Sequence, residues 1–409
     1  LLMVKLMNRQ DINATDTKAV SLFSDTMQRK RYLFSLVMIL LMIGVAELLH
    51  EKEIIFPEMA ALTIGMWIVD KRVWKIKQWQ MLLLMTLGAC AGVLIVLCSP
   101  LPLVLNVAMA FLFAAVCLLF ARASLFPLIS ACVLPVLLHT ESWVYPLAVF
   151  VMTLALIAVQ RWMELKGMRK TIVYEPVDRC WKRDSMRWLC LLSSVFAVAC
   201  LAVYSGNFFF IIPPLIVAYV EFVNSKAGFR NRPVLTVLLL VLGAVIGTVF
   251  QLAGHYWLGL PETVVALCIF LALFTLFEWL GKFFAPVGAL ALIPMLLPRE
   301  ALPWLPLQVP VGATLFITMG LIFFQQCYKW SRAQLVYCLI PHYLISRIKR
   351  KRASESGKSE KRILCSRCRH FCSADRRKRH SLMLKDRWIL EEGSAISGSS
   401  RRMARRIRT

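Results

Sequence analysis

The chain carries one apolar pattern twice. Residues 86–93 read Thr-Leu-Gly-Ala-Cys-Ala-Gly-Val and residues 241–248 read Val-Leu-Gly-Ala-Val-Ile-Gly-Thr, so both hold Leu-Gly-Ala-x-x-Gly inside a hydrophobic run. Downstream, Pro127 and Pro135 bracket an apolar segment, and Pro286 and Pro294 bracket another at the same spacing. Each pair is followed by a tryptophan, Trp143 or Trp304, just ahead of the next run. The offset grows only from 155 residues between Gly88 and Gly243 to 161 between Trp143 and Trp304, a drift that one short loop insertion accommodates. An internal repeat constrains architecture before any other feature. In membrane proteins such repeats place a path for solute between the two copies.

That the setting is a membrane follows from composition. The 409 residues are 59% hydrophobic and only 17% charged, with mean hydropathy +0.67, which excludes an ordinary soluble domain. About 20 apolar residues span the hydrocarbon core as a helix. Twelve runs approach that length, at 32–49, 54–69, 81–98, 102–120, 123–138, 142–160, 187–204, 207–223, 233–252, 262–280, 283–298 and 304–326. The second, fifth, eighth and eleventh are nearest the minimum, at equivalent positions of the two halves. The expected fold is all-α, a polytopic membrane protein of about twelve transmembrane helices in two parallel six-helix repeats. Its parts are a lead at 1–31, repeat 1 at 32–160, a basic loop at 161–186, repeat 2 at 187–326 and a basic tail at 327–409.

The net charge of +25 is not a nucleic-acid footprint, because the cations sit in alternate loops. Lys71, Arg72, Lys75 and Lys77 follow the second run, Arg161 to Arg187 fill the central loop, and Lys226, Arg230 and Arg232 follow the eighth. The intervening loops hold little beyond Lys52 and Arg299. By the positive-inside rule both termini are cytoplasmic, and a bacterial cytoplasmic membrane is the expected location. The cysteines within the spans read as small hydrophobes.

Two Gly-x-x-x-Gly steps, Gly88/Gly92 and Gly243/Gly247, put small residues one turn apart where another helix can approach closely. Proline removes a helical hydrogen bond and clashes with the preceding turn. Pro127 and Pro135, and Pro286 and Pro294, are therefore expected to give broken helices facing the protein interior. Pro57 with Glu58, and Pro213 with Pro214, open spans 2 and 8 in the same manner. Short interrupted segments in corresponding places of two halves point to a midplane site, and exposed helix N-termini there favour anions. An acid in a membrane span is a functional candidate by default; Glu58, Glu221 and Glu278 qualify, with Glu47 and Glu262 nearer the span ends. The substrate path is thus expected along Pro57, Glu58, Pro127, Pro135, Pro213, Pro214, Glu221, Pro286 and Pro294.

Cys365, Cys368, His370 and Cys372 supply four zinc-type ligands, but within eight residues rather than as two separated knuckles. They are a weak metal candidate in a tail too polar to bury a core. No nucleophile elbow, phosphate loop or His-Glu metal helix is present, so neither an enzyme nor a cofactor is expected.

The runs Pro213-Pro214-Leu215, Arg232-Pro233, Leu242-Gly243-Ala244-Val245-Ile246-Gly247 and Ala285-Pro286-Val287-Gly288-Ala289-Leu290-Ala291-Leu292-Ile293-Pro294 resemble the HPP family of integral membrane proteins. The resemblance covers most of residues 50–325, in a duplicated form, although neither copy holds a His-Pro-Pro triplet. It implies a membrane protein with a transport role, including nitrite transport in plastid members. A weaker resemblance is to the fusaric-acid-resistance-like aromatic acid exporters, built from six-span halves. The expected function is a transporter or channel for a small solute, most plausibly an anion; the alternative is a membrane scaffold that binds a partner through its basic loops. The expected partners are the lipid bilayer, the solute and further copies of the chain, with no nucleic acid.

Cysteines placed at positions 170 and 255 of a cysteine-free variant should label from opposite sides of the membrane with an impermeant maleimide. Equal labelling from outside would remove this topology.

Overall fold

The computed structural model of the chain describes residues 26–69, 73–169, 177, 181–224 and 232–327. The described residues form helices α1 (Thr26–Leu49), α2 (Glu58–Thr63), α3 (Gln78–Cys98), α4 (Leu103–Ala121), α5 (Pro127–Leu138) and α6 (Val144–Leu165), then α7 (Trp181–Tyr204), α8 (Pro213–Asn224), α9 (Pro233–Phe250), α10 (Glu262–Leu280), α11 (Ala285–Leu296) and α12 (Leu305–Cys327). A π-helical turn, Ile64–Ile68, extends α2, and another, Gln251–Trp257, extends α9. Much of the 1–31 lead, nearly all of the 327–409 tail and the Cys365, Cys368, His370 and Cys372 cluster lie outside the described residues.

The all-α, polytopic expectation holds, but not the count of about twelve transmembrane helices. Among the described residues, eight helices are long and apolar enough to cross a membrane. The segments read as spans 2, 5, 8 and 11 are instead α2, α5, α8 and α11, and the last three have 12 residues each. Twelve residues of helix reach about 18 Å, well short of the roughly 30 Å hydrocarbon core. Proline explains where they start: Pro127 is the first residue of α5, Pro213 and Pro214 open α8, Pro286 is second in α11, and Pro57 immediately precedes α2. At the first turn its missing N–H costs no helical bond.

Burial separates the two helix classes. Each residue of α2, and each of Ala285–Met295 in α11, is buried. The long spans are only 28% to 50% buried, and their outer faces present side chains such as Leu41, Leu87, Leu112, Leu154, Leu201, Leu271 and Leu307. Without water, an apolar outer face suits lipid contact, which makes this a multi-pass integral membrane protein. The short helices close a ring inside: α2 packs on α5, α5 on α8, α8 on α11 and α11 on α2. Around them, α3 packs on α5 and α6, α9 on α11 and α12, α1 on α10, and α4 on α7.

The two Gly-x-x-x-Gly steps make the same contact in both halves of the chain. A Cβ on Gly88 would lie 2.5 Å from the Leu128 side chain of α5, and one on Gly243 would lie 2.5 Å from Val287 of α11. One turn on, a Cβ on Gly92 would strike the Cys132 carbonyl and stand 3.0 Å from the Pro135 ring; on Gly247 it would strike the Ala291 carbonyl and stand 3.0 Å from Pro294. These positions therefore need glycine for backbone approach rather than for backbone conformation. The expected helix breaks at Pro135 and Pro294 are absent: α5 continues to Leu138 and α11 to Leu296. Each ring fills the notch over a glycine instead.

Gly92→Ala and Gly247→Ala should each cost about 1–3 kcal/mol of stability through overpacking. Gly44→Ala, whose methyl meets nothing closer than Thr263 Oγ1 at 3.6 Å, should be neutral or slightly stabilising, since alanine is the better helix former. Thermal melts of the detergent-purified variants compare them directly.

Candidate functional site

The ring of short helices is where chemistry can be sheltered from lipid, and three polar places stand out in and around it. The most enclosed is at Glu58, the first residue of α2, which is 1% exposed. Ser130 of α5 donates its hydroxyl to Glu58 Oε1, while Glu58 Oε2 has no hydrogen-bond partner. Beside them Tyr145 of α6 donates to the Ala131 carbonyl at 3.2 Å. That carbonyl is available because the residue four on, Pro135, has no N–H to give it. The Tyr145 ring packs edge-on against Phe56, with centroids 6.2 Å apart.

The other acids in apolar runs are held by several donors or lie at the edge. Glu47, at the end of α1, caps the first turn of α10, accepting from the Glu262 and Thr263 N–H groups at 3.0 Å and from Thr263 Oγ1 at 2.7 Å. Orphan N–H groups at a helix start favour a carboxylate placed there. Glu262 in turn lies 3.8 Å from Lys52 Nζ and 3.9 Å from His255 Nε2. At the opposite end of α1, Glu278 of α10 accepts from Gln28 at 2.8 Å and from the Tyr32 hydroxyl. Glu221, half-buried on α8, accepts from Trp74 Nε1 at 2.9 Å.

Trp74 belongs to the second place, the basic end of the ring. It lies over Gly65, where a Cβ would come within 2.6 Å of its Cζ3 atom. Through Glu221 it ties the segment after α2 to α8. Lys75 holds the same segment against the start of α5, by paired backbone and hydroxyl bonds with Ser124 of 2.8 and 3.1 Å. The C-terminus of the π-turn is capped by the buried Arg169, whose guanidinium donates to the carbonyls of Trp67 at 3.0 Å and Val69 at 2.8 Å. Arg31 adds a longer bond of 3.4 Å to Trp67. A cation at a helix C-terminus meets both the orphan carbonyls and the dipole. A cavity of about 560 Å³ opens beside this cap, lined by Gly65, Trp74, Lys77, Gln160, Arg161, Glu164 and Arg169 among others. Among the described residues of its lining, three cations stand against one carboxylate.

The third place is the π-turn after α9. Gln251 is fully buried with neither amide atom partnered, and Thr248, three residues earlier, has an unpartnered hydroxyl.

Of the residues expected along a path, Pro57, Glu58, Pro127, Pro135, Pro213, Pro214, Pro286 and Pro294 all belong to the ring or its immediate entrances, and Glu221 lies at its basic end. Ser130, Tyr145, Trp74, Arg169 and Gln251 were not singled out by sequence reasoning. Arg169 looked like one more cation of a basic loop, and Ser130 and Tyr145 look unremarkable in apolar runs. The freed carbonyl opposite Pro135 is the one signal that asks for a donor such as Tyr145.

No protein-family model matches the chain, and no curated protein or solved structure matches it either. The resemblance to the HPP family accordingly rests on the sequence runs quoted above.

Arg169→Ala should destabilise the protein by about 1–3 kcal/mol, because two buried carbonyls lose a charged donor. Arg169→Lys should recover only part of this, since an ammonium cannot fork across two acceptors. Melting temperatures of the three proteins in one detergent make the test.

Proposed function

We propose that the protein is a multi-pass transporter for a small anionic solute, with its path through the ring of short helices between two parallel six-segment halves. The observation that carries this reading is the ring itself. Four helices too short to cross the bilayer are buried within eight that are long enough. Short segments at matching places of two halves are where transporters bind their cargo, and non-helical backbone at membrane depth is tolerated where it lines such a route. The matching glycine–proline contacts of α3 with α5 and α9 with α11 support a parallel duplication, with α2, α5, α8 and α11 nearest its axis.

The cavity at the basic end supports the anionic character. Lys77, Arg161 and Arg169 outweigh Glu164 along its described lining. Cations around a concave mouth raise the local concentration of anions. Under the positive-inside reading this mouth faces the cytoplasm of a bacterial cell, with both termini on the same side. The resemblance to the HPP family agrees with a transport role, and no catalytic step forms part of the reading.

Purified protein in proteoliposomes should take up members of a panel of small anions, including nitrite, nitrate, formate and aromatic carboxylates. The Lys77→Gln/Arg161→Gln variant should slow uptake by about fivefold, equivalent to roughly 1 kcal/mol of lost attraction. No flux across the panel, together with a co-purifying protein that survives detergent, would favour a membrane scaffold instead.

A further inference from the structure

The three polar residues at the outer part of the ring occur in one half of the chain only. Aligned on the shared prolines, Glu58 follows Pro57 as Pro214 follows Pro213. Ser130 stands three residues after Pro127 as Ala289 stands three after Pro286, and Tyr145 stands two after Trp143 as Pro306 stands two after Trp304. The second half therefore has Pro214, Ala289 and Pro306 at the corresponding positions, the first two buried. Packing alone is satisfied by apolar residues at these places, so the acid and its neighbours in the first half need another reason.

We infer that Glu58 is a proton-binding site, taking up a proton when the ring is closed around it and releasing it when the site opens to water. The inference rests on the transport reading for its purpose but on Glu58's own surroundings for its chemistry. An ionised carboxylate in an apolar interior needs a cation or several donors, and otherwise neutralises. The donors to Glu58 are the Ser130 hydroxyl and the residue's own backbone N–H, no cation is among them, and one oxygen has no partner. The ionisable groups near it from the surrounding elements are Tyr145 of α6, whose hydroxyl is committed to Ala131, and the buried Cys132 of α5. α11 brings no ionisable residue, and the nearby acid of α1, Glu47, is held at the start of α10. The preceding turn carries Lys52, which lies beside Glu262, and Glu53, whose Oε2 is also buried and unpartnered. Lys52 is 56% exposed on its side chain, whereas Ile54, Ile55, Phe56 and Pro57 between it and Glu58 are buried, so the acid meets water only when this stretch moves. The step itself balances simply: the Oε2–H bond forms with a proton from outer water and breaks to return it, with no other reactant.

Infrared difference spectra of the full chain in lipid nanodiscs, recorded across a pH series, test the site without reference to flux. A carboxylic-acid carbonyl band should be lost as pH rises, should be absent from E58Q, and should move to higher frequency in S130A, where the hydroxyl no longer pulls on Oε1. S130A keeps the carboxyl, so it reports even if E58Q folds poorly. In proteoliposomes, an acid-outside gradient should accelerate anion uptake by wild type and lose that stimulation entirely in E58Q. A band unchanged by E58Q would assign it to another acid and overturn the inference; a Glu58 band that persists at every pH up to unfolding would overturn it too, leaving Glu58 a permanently neutral packing residue. A titrating Glu58 band in a protein that moves no anion would uphold the proton site and overturn the transport reading.

Discussion

Everything in this structure depends on one mismatch, that of helix length against bilayer thickness. Four of the twelve helices are too short to carry their own backbone from one interface to the other, and lipid offers no hydrogen bonds to the chain that leads into them. The eight longer helices therefore have to surround them, and the exposed leucines of those helices face outward as a consequence. The acid, the buried glutamine and the unpartnered hydroxyl follow from the same constraint, because only the sheathed interior can hold them.

How the short helices are anchored differs between their two ends. The basic end is closed by long-range polar contacts: Arg169 on the carbonyls of the π-turn, Trp74 on Glu221, and Lys75 with Ser124. At the other end Glu47 caps α10, and Lys52 with His255 surrounds Glu262. Between these polar rims the ring is joined by the Ser130–Glu58 hydrogen bond of α5 with α2 and otherwise mainly by apolar packing; where α11 meets α2, for instance, a Cβ on Gly288 would strike Ile64.

Much of this frame could be read from residues in order along the chain. The repeated glycine steps marked where α3 and α9 take close neighbours, though not that these are α5 and α11, and the leading prolines marked where α5, α8 and α11 begin. The reading of Pro135 and Pro294 as breaks erred for a physical reason: near the end of a short helix a proline forfeits one bond, and a neighbouring side chain or a glycine notch can accommodate it. Span length was misjudged because apolar loop residues such as Phe56 and Ile212, buried inside the bundle, look the same in sequence as lipid-facing helix. The partners of Glu58, Glu221 and Arg169 were illegible because each lies about 70 to 150 residues away, a distance that no local spacing rule bridges.

The glycine–proline notches carry a mechanical implication. With no side chain between backbones, α3 cannot turn or slide on α5, nor α9 on α11, without driving a carbonyl or a proline ring into the facing helix. Each long–short pair is therefore a stiff lever. If the ring opens, the motion has to run along the seams between levers, where apolar surfaces shear and few hydrogen bonds cross: Ser130–Glu58 between α5 and α2, and Trp74–Glu221 as a removable latch on one rim.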